Sequence, residues 1–483
     1  MFTSYVKMKL CKKAHGTCSM GLLSVPTRRA IPGCTQWIIQ ARPLLAIAIL
    51  STLAGCTLHP PGETAERQAA LMAGKPFAKQ FEQRSIEPLP SDPSPEDLVR
   101  HALLANADLE HKYWEWRSAI EQIPQDGTQA TNLVLSANLN LLRGSPASDR
   151  ITLAAGNDPM ADILLPPKLS IAARRALENA RAAGLRFRKA QFDVRNRVLT
   201  AYNDYSLTAE LIRLEQSNGQ LLKTTAMVVE ARNRAGAAGQ QDLLKARNEL
   251  DLSGNDIANM QAQLPTQKAI INALLGREPD ADIAVPVELP PVRPINYSDE
   301  QLLALAVKQN PELIALAREI AGKKEGVALA RLQYLPDFSV SAATDLKGVS
   351  QSLFGMVTVP FLRHEAIDAA VAQSQANLRA IEAMRRQAAN DLGAQVVLDI
   401  RTLRDADRQL QLFEFTILPR ANQVVTIART AYESGHATLL DVLDGQRSLI
   451  SIRRLVATLR ITRAKRVSDL EAITGQRLEV VGE

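Results

Sequence analysis

The sequence predicts a mainly α fold of long coiled-coil helices with a small β part made of two hairpins. Three observations carry this. From Glu96 onward the chain reads as two copies of one plan, and each copy holds a very long stretch almost free of proline. Ahead of each such stretch lie short segments in which apolar residues alternate with polar ones.

Residues 1–55 are expected to be a lipoprotein signal peptide. They contain seven cations (Lys7, Lys9, Lys12, Lys13, Arg28, Arg29 and Arg42), no acid, and an apolar run from Leu44 to Leu53 too short to span a bilayer as a lasting helix. Without those seven, 50 Lys and Arg face 51 Asp and Glu, so the formal charge of +6 belongs to the leader. Basicity is therefore no argument for a nucleic-acid partner. Leu53-Ala54-Gly55-Cys56 resembles the bacterial lipobox, which makes Cys56 the expected lipidation site. Thr57, where an Asp would otherwise stand, resembles lipoproteins sent on to the outer membrane. Cys11, Cys18 and Cys34 lie in the leader, so a disulfide framework and a thiolate metal cluster are both excluded for the remainder. Residues 56–95, with Pro60-Pro61, Pro88, Pro90, Pro93 and Pro95, read as a lipidated extended tether.

The first repeat is expected over residues 96–290 and the second over 291–483. An offset of 199 residues pairs Gly236 with Gly435, Asp242 with Asp441 and Gly276 with Gly475 without a gap. Leu243, Leu250, Ile257 and Ile271 match Val442, Leu449, Val456 and Leu470 at seven-residue spacing, and only Leu264 against Arg463 breaks the series. Asn106-Ala107-Asp108-Leu109 and Asn310-Pro311-Glu312-Leu313 open the two copies, each on a short helix. Tyr113, Trp114 and Trp116 in the first of these read as packing residues.

Long helical hairpins are expected over about residues 169–276 and 364–475. A helix from Leu169 to Arg234 would be about 100 Å long at ~1.5 Å per residue, which no single globular core needs. Neighbouring helices must supply the partner surface. The β-hairpins fall at about 131–165 and 337–361. Leu133, Leu135, Ala137, Leu139 and Leu141 alternate with a largely polar set; Phe338, Val340 and Ala342 do the same, as do Leu353, Gly355, Val357, Val359 and Phe361. Ile151 to about Leu165, with Pro159 and Asp162 inside it, is a poorer strand. Such alternation suits lipid on one side and water on the other, and equally a soluble sheet. In lipid, four strands cannot close a barrel and an open edge leaves backbone groups unpaired, so strands would be pooled between subunits, twelve from three chains.

The chain resembles the TolC-type outer-membrane efflux family, specifically its lipoprotein branch. The resemblance rests on the lipobox, the duplicated plan, Asn310-Pro311-Glu312-Leu313, and above all on the stretch Tyr432-Glu433-Ser434-Gly435-His436-Ala437-Thr438-Leu439-Leu440-Asp441-Val442-Leu443-Asp444. It implies a homotrimer with a twelve-stranded outer-membrane β-barrel continued by a twelve-helix α-barrel in the periplasm. The implied role is the passive exit duct of a tripartite efflux or secretion system. Its implied partners are a periplasmic adaptor, an inner-membrane pump and outer-membrane lipid. By the same resemblance Asp441 and Asp444 stand at the pore constriction, with Asp242 as the repeat equivalent of Asp441, while Lys245 takes the place equivalent to Asp444. Gly236, Gly435, His436 and Tyr432 belong to the hairpin tips and adaptor contact. Ala437 departs from members that carry a basic gate residue there.

No cofactor, metal site or enzyme activity is expected. His59, His101, His111, His364 and His436 have no His or Cys at ligand spacing, and there is no phosphate loop, nucleophile elbow or CxxC pair. The rival reading, from another class, is a lipid-anchored periplasmic coiled-coil scaffold or adaptor without a pore. It accounts for the helices and the leader but not for two amphipathic hairpins at matching places.

Overall fold

The computed structural model describes residues 58–128, 131–138, 150–157, 166–345 and 351–478. The leader with Cys56, and Leu139, Leu141, Pro159 and Asp162 of the first hairpin, lie outside the described residues. No helix is long and apolar enough to cross a membrane among the described residues.

The duplication is visible in the elements themselves. In the first repeat α2 (Pro95–Ala105) and α3 (Ala107–Gly127) lead into β1 (Thr131–Asn138) and β2 (Arg150–Asn157), then into α4 (Pro166–Arg234) and α5 (Gln240–Leu274). In the second, α6 (Asp299–Gln309) and α7 (Pro311–Arg331) lead into β3 (Asp337–Asp345) and β4 (Gln351–Thr358). There the long helix is divided into α8 (His364–Leu412), a π-helical turn at Phe413–Ile417, and α9 (Leu418–Glu433), followed by α10 (Leu439–Thr474). Pro419, in the first turn of α9, lacks an N–H and cannot continue regular α pairing, which accounts for a break at this place; α4 has no counterpart to it.

Both repeats are closed by the same device. Ser94 and Ser298 form capping boxes with Asp97 and Gln301 at the starts of α2 and α6. Asn106 accepts from Leu109 N at 3.1 Å to cap α3 and donates to the Leu274 carbonyl at 3.0 Å, at the far end of α5. Asn310 accepts from Leu313 N at 2.9 Å and donates to the Ile473 carbonyl at 2.8 Å, near the end of α10. One buried asparagine per repeat thus satisfies an orphan donor of one helix and an orphan acceptor of another.

The segment expected as an extended tether is folded from Leu58 onward and precedes α2. Helix α1 (Glu63–Ala73) lies along α3, and the Leu58 N–H donates to the Gly127 carbonyl at 3.0 Å. Trp116 Nε1 donates to Glu66 at 2.9 Å, and Arg67 pairs with Glu121 at 2.7 Å. Phe77 is buried in an aromatic cluster with Tyr113 and Phe187, and Trp116 stacks on Phe187 at 5.6 Å. Proline richness misleads here because apolar side chains further along find partners on α3 and α4. Of the three aromatic residues read as packing, Tyr113 and Trp116 are buried, whereas Trp114 is half exposed and hydrogen-bonded to Glu110.

The four strands form one antiparallel sheet in the order β1-β2-β3-β4. Its register gathers the expected apolar sets on one side. Leu133, Leu135 and Ala137 stand opposite Ala155, Leu153 and Ile151; Ala155 stands opposite Ala342, and Ala342 opposite Leu353. Val340 pairs with Gly355 and Phe338 with Val357 in the same set. β2 is described to Asn157, and the rest of the expected first hairpin lies outside the described residues. β4 ends at Thr358, short of the expected 361, because Pro360 cannot donate to a ladder, and Phe361–Arg363 is a 3-10 turn. β1 and β4 are the sheet's two outer strands.

Candidate functional site at the hairpin tips

The tips of the two helical hairpins are built from one turn used twice. α4 ends with Ala237 N donating to Arg232 O at 2.8 Å, and α9 ends with His436 N donating to Ala431 O at 2.8 Å. The pivots are Gly236 at φ 73° and Gly435 at φ 82°, in the left-handed region that closes such helix ends. A Cβ on Gly236 would meet nothing within 4 Å, so backbone conformation and not crowding selects glycine there. Between the tips sits a small core of Leu222, Val229, Leu243, Ala246, Tyr432, Leu439, Val442 and Leu443, drawn from both hairpins.

The acidic residues read from the sequence are placed here, each with a distinct environment. Asp441 is exposed and completes a capping box at the start of α10. Its Oδ2 accepts from Thr438 N at 2.8 Å and from Thr438 Oγ1 at 2.7 Å. These hydrogen bonds, the hydroxyl's first, hold its carboxyl below the usual carboxylate range. Asp444 is exposed and faces Arg447 of the same helix at 3.4 Å. Arg447 reaches across to Glu249 of α5, with Nε donating to Oε2 at 3.3 Å. Asp242 has no capping partner, since Gly239 stands at the N-cap where the second repeat has Thr438. His436 is exposed, with Nδ1 3.1 Å from Ser434 Oγ.

Tyr432 is buried, and burial pushes its hydroxyl up, opposed by the Arg232 charge and reinforced by that of Asp242. Arg232 is the tip residue that sequence reasoning missed. Its Nη1 donates to the carbonyls of Tyr432 at 2.5 Å and Glu433 at 3.3 Å, and its Cζ lies 4.8 Å from the Tyr432 ring centroid. One hairpin therefore caps the helix end of the other through a cation on carbonyls and on an aromatic face. The available signal was the repeat alignment, which sets Arg232 against Ala431.

Further up the hairpins, Glu215 of α4 is buried and joins three helices. Burial alone would push its carboxyl up, but donors from Ser253 at 2.7 Å, Asn218 at 2.9 Å and Arg454 hold it below the ordinary range. Arg463, the one break in the heptad match, is buried and paired with Asp407, while Leu264 packs against the apolar core. No group of three or more His, Cys, Asp or Glu able to hold a metal ion occurs among the described residues.

Residues 161–277 and 302–476 match the family described as outer membrane efflux protein. Cobalt-zinc-cadmium resistance protein CzcC of Cupriavidus metallidurans is 26% identical over 290 residues, covering 58% of this chain and 66% of that protein. A probable outer membrane lipoprotein, SilC of Salmonella typhimurium, is 24% identical over 279 residues, covering 55% of this chain and 53% of SilC. The chain thus spans less than two thirds of the length of these curated relatives. In fold it is similar to the outer membrane protein VceC of Vibrio cholerae, with a TM-score of 0.69 and 18% identity over 80% of this chain and 97% of VceC.

Proposed function

The chain belongs to the outer membrane efflux protein family, and from that premise we propose that it is the exit duct of a tripartite efflux or secretion system. The observation that carries the proposal is the four-stranded sheet. Its apolar positions fall on one side in register, and its outer strands β1 and β4 would leave N–H and C=O groups unpaired in lipid. Two further copies would close it as a twelve-stranded barrel in the outer membrane, with the helical hairpins of the three copies forming the α-barrel in the periplasm. A lipid on Cys56 would add a second hold, and its place suits a folded N-terminal segment whose Leu58 is pinned at the end of α3. The duct passes small solutes without chemistry of its own.

At the tips, Asp441, Asp444 and Asp242 from three copies would line the constriction as rings of carboxylates, favouring cations. Hydrogen bonding that holds Asp441 ionised supports this, while Arg447 beside Asp444 offsets part of its charge. Gly236, Gly435 and His436 would meet the adaptor, which links the duct to an inner-membrane pump, whereas Tyr432, expected as a contact, is buried under Arg232 and supports the tip from within. The test is single-channel conductance in planar bilayers, comparing the native chain with Asp441→Asn/Asp444→Asn. Asparagine keeps an acceptor for Thr438 and removes the charge. Cation-selective openings that lose selectivity in the variant are expected. Equal selectivity in both would reject the acidic ring, and a folded monomer without openings would reject the duct in favour of a scaffold without a pore.

A further inference from the structure

The two repeats agree closely where their short helices begin. An offset of 204 residues sets Ser94, Leu98, Ala102 and Asn106 against Ser298, Leu302, Ala306 and Asn310, the same residue each time. Both serines form capping boxes, and Leu98, Ala102, Leu302 and Ala306 are fully buried. On this shared frame three positions differ in kind. Ile295, Tyr297 and Leu305 of the second repeat pack against a core that holds Leu302, Leu403 and Leu470. The first repeat has Ser91, Pro93 and His101 in their places, and Arg277 where Gln476 follows the closing glycine of the second. These smaller or polar side chains line a pocket of about 400 Å³ at the end of α5 remote from the tip, with Leu89 and Ile283 as apolar walls. Sites for small ligands have volumes of this order.

Arg277 supplies the charge of the pocket. Its Nη2 donates to the Asp282 carbonyl at 3.2 Å, whereas its Nη1 is buried without a hydrogen-bond partner among the described residues. A guanidinium presents its donors as a planar fork, which a carboxylate with two oxygens matches better than a single carbonyl does. Asp282 also lines the pocket but does not fill this role, because its side chain is 98% exposed and its carboxylate lies 3.4 Å from Lys268. Beside Arg277, His101 is half-buried. Burial first, and then the Arg277 charge, hold its imidazole below the usual range, so the ring is neutral near pH 7. A backbone acceptor at Glu87 takes the proton of one ring nitrogen, which leaves the other an acceptor.

We propose that this pocket binds a carboxylate carried on a short apolar body, with the carboxylate on Arg277 and a neighbouring N–H or O–H on His101. The C-terminal residue of a peptide offers the carboxylate, the apolar side chain and the amide N–H together; a free short-chain acid offers the first two. The pocket is built within one chain, so the inference does not rest on the barrel reading.

The test uses the full chain, folded in detergent, and reads binding by saturation-transfer NMR. The probes are N-acetyl-alanyl-alanine, the same dipeptide amidated at its C-terminus, and propionate. Arg277→Gln and His101→Leu each borrow the residue that the second repeat carries at the matching place, and circular dichroism checks their folding. The dipeptide acid is expected to bind the parent and its amide not to bind. Arg277→Gln should weaken the acid at least about tenfold, as expected for loss of a charge-assisted pair. His101→Leu should weaken the dipeptide more than propionate. A dipeptide that binds more tightly than propionate assigns the pocket to a chain end, and equal binding of the two assigns it to free acids. The proposal is overturned if acid and amide bind the parent equally, if folded Arg277→Gln binds as the parent does, or if no probe shows transfer at millimolar concentration. The comparison of acid with amide is made on the parent protein, so it decides the question even if a variant fails to fold.

Discussion

Replacing Asn310 by alanine removes two hydrogen bonds made by one side chain that is only 6% exposed. Leu313 N loses its cap, which costs about 1 kcal/mol in typical N-cap deletions. The Ile473 carbonyl, 2.8 Å from Asn310 Nδ2, lies in the last turn of α10 and has no intrahelical donor. Left buried and unpaired, it costs about 1–3 kcal/mol. Asn310→Ala should therefore open the junction of α7 and α10 by roughly 2–4 kcal/mol, or about 30-fold to several hundredfold in local opening. Hydrogen exchange read by mass spectrometry on the assembled protein measures this directly, in peptides covering 311–316 and 470–476. Asn310→Ser keeps a capping oxygen and loses the reach to Ile473, so protection should return at 311–316 but not at 470–476. Asn106→Ala should do the same at the first repeat, in peptides around Leu109 and Leu274. Native-like exchange at both ends in Asn310→Ala would refute the claim that one asparagine closes two helices.

Arg232→Ala should loosen the tip by about 1–2 kcal/mol, since the α9 carbonyls lose a cation and Tyr432 its stacked partner. The expected result is faster proteolysis between residues 430 and 438 with unchanged thermal stability of the barrel, and Arg232→Lys should restore only part because it lacks the planar fork. Glu215 makes the hairpins acid-sensitive. Its folded pKa lies below the ordinary value, so its contribution is complete above the unfolded pKa of about 4.3 and is lost as pH falls through the lower folded value. Acid unfolding followed by circular dichroism should show this, and Glu215→Gln should flatten the loss below about pH 4; an unchanged acid limb would contradict it.

Much of this architecture was legible because it is periodic. A repeat offset held over Gly236/Gly435, Asp242/Asp441 and Gly276/Gly475 reappears as matched left-handed turns and helix ends, and period-two alternation reappears as a sheet register. What was illegible depends on contacts distant in sequence. Nothing local tells that Phe77 reaches Phe187, or that Arg67 pairs with Glu121, so a proline-rich segment read as extended. Arg232 on Tyr432 joins residues 200 apart in sequence, and its partners are two backbone carbonyls and a ring, so the repeat alignment marks Arg232 as different from Ala431 without showing what it meets. Asp441 shows the opposite case. The spacing Thr438-x-x-Asp441 is itself a capping signature, so the residue read as a gate also has a local structural duty, and the two duties are separated only by a substitution that keeps the acceptor.

The central claim, that the four strands of one chain complete a barrel only with those of two others, is tested most directly by native mass spectrometry of the folded protein released from detergent. A dominant species of three chains, retained until the sheet itself unfolds, is the expected result. A stable single chain with its sheet intact would contradict the account.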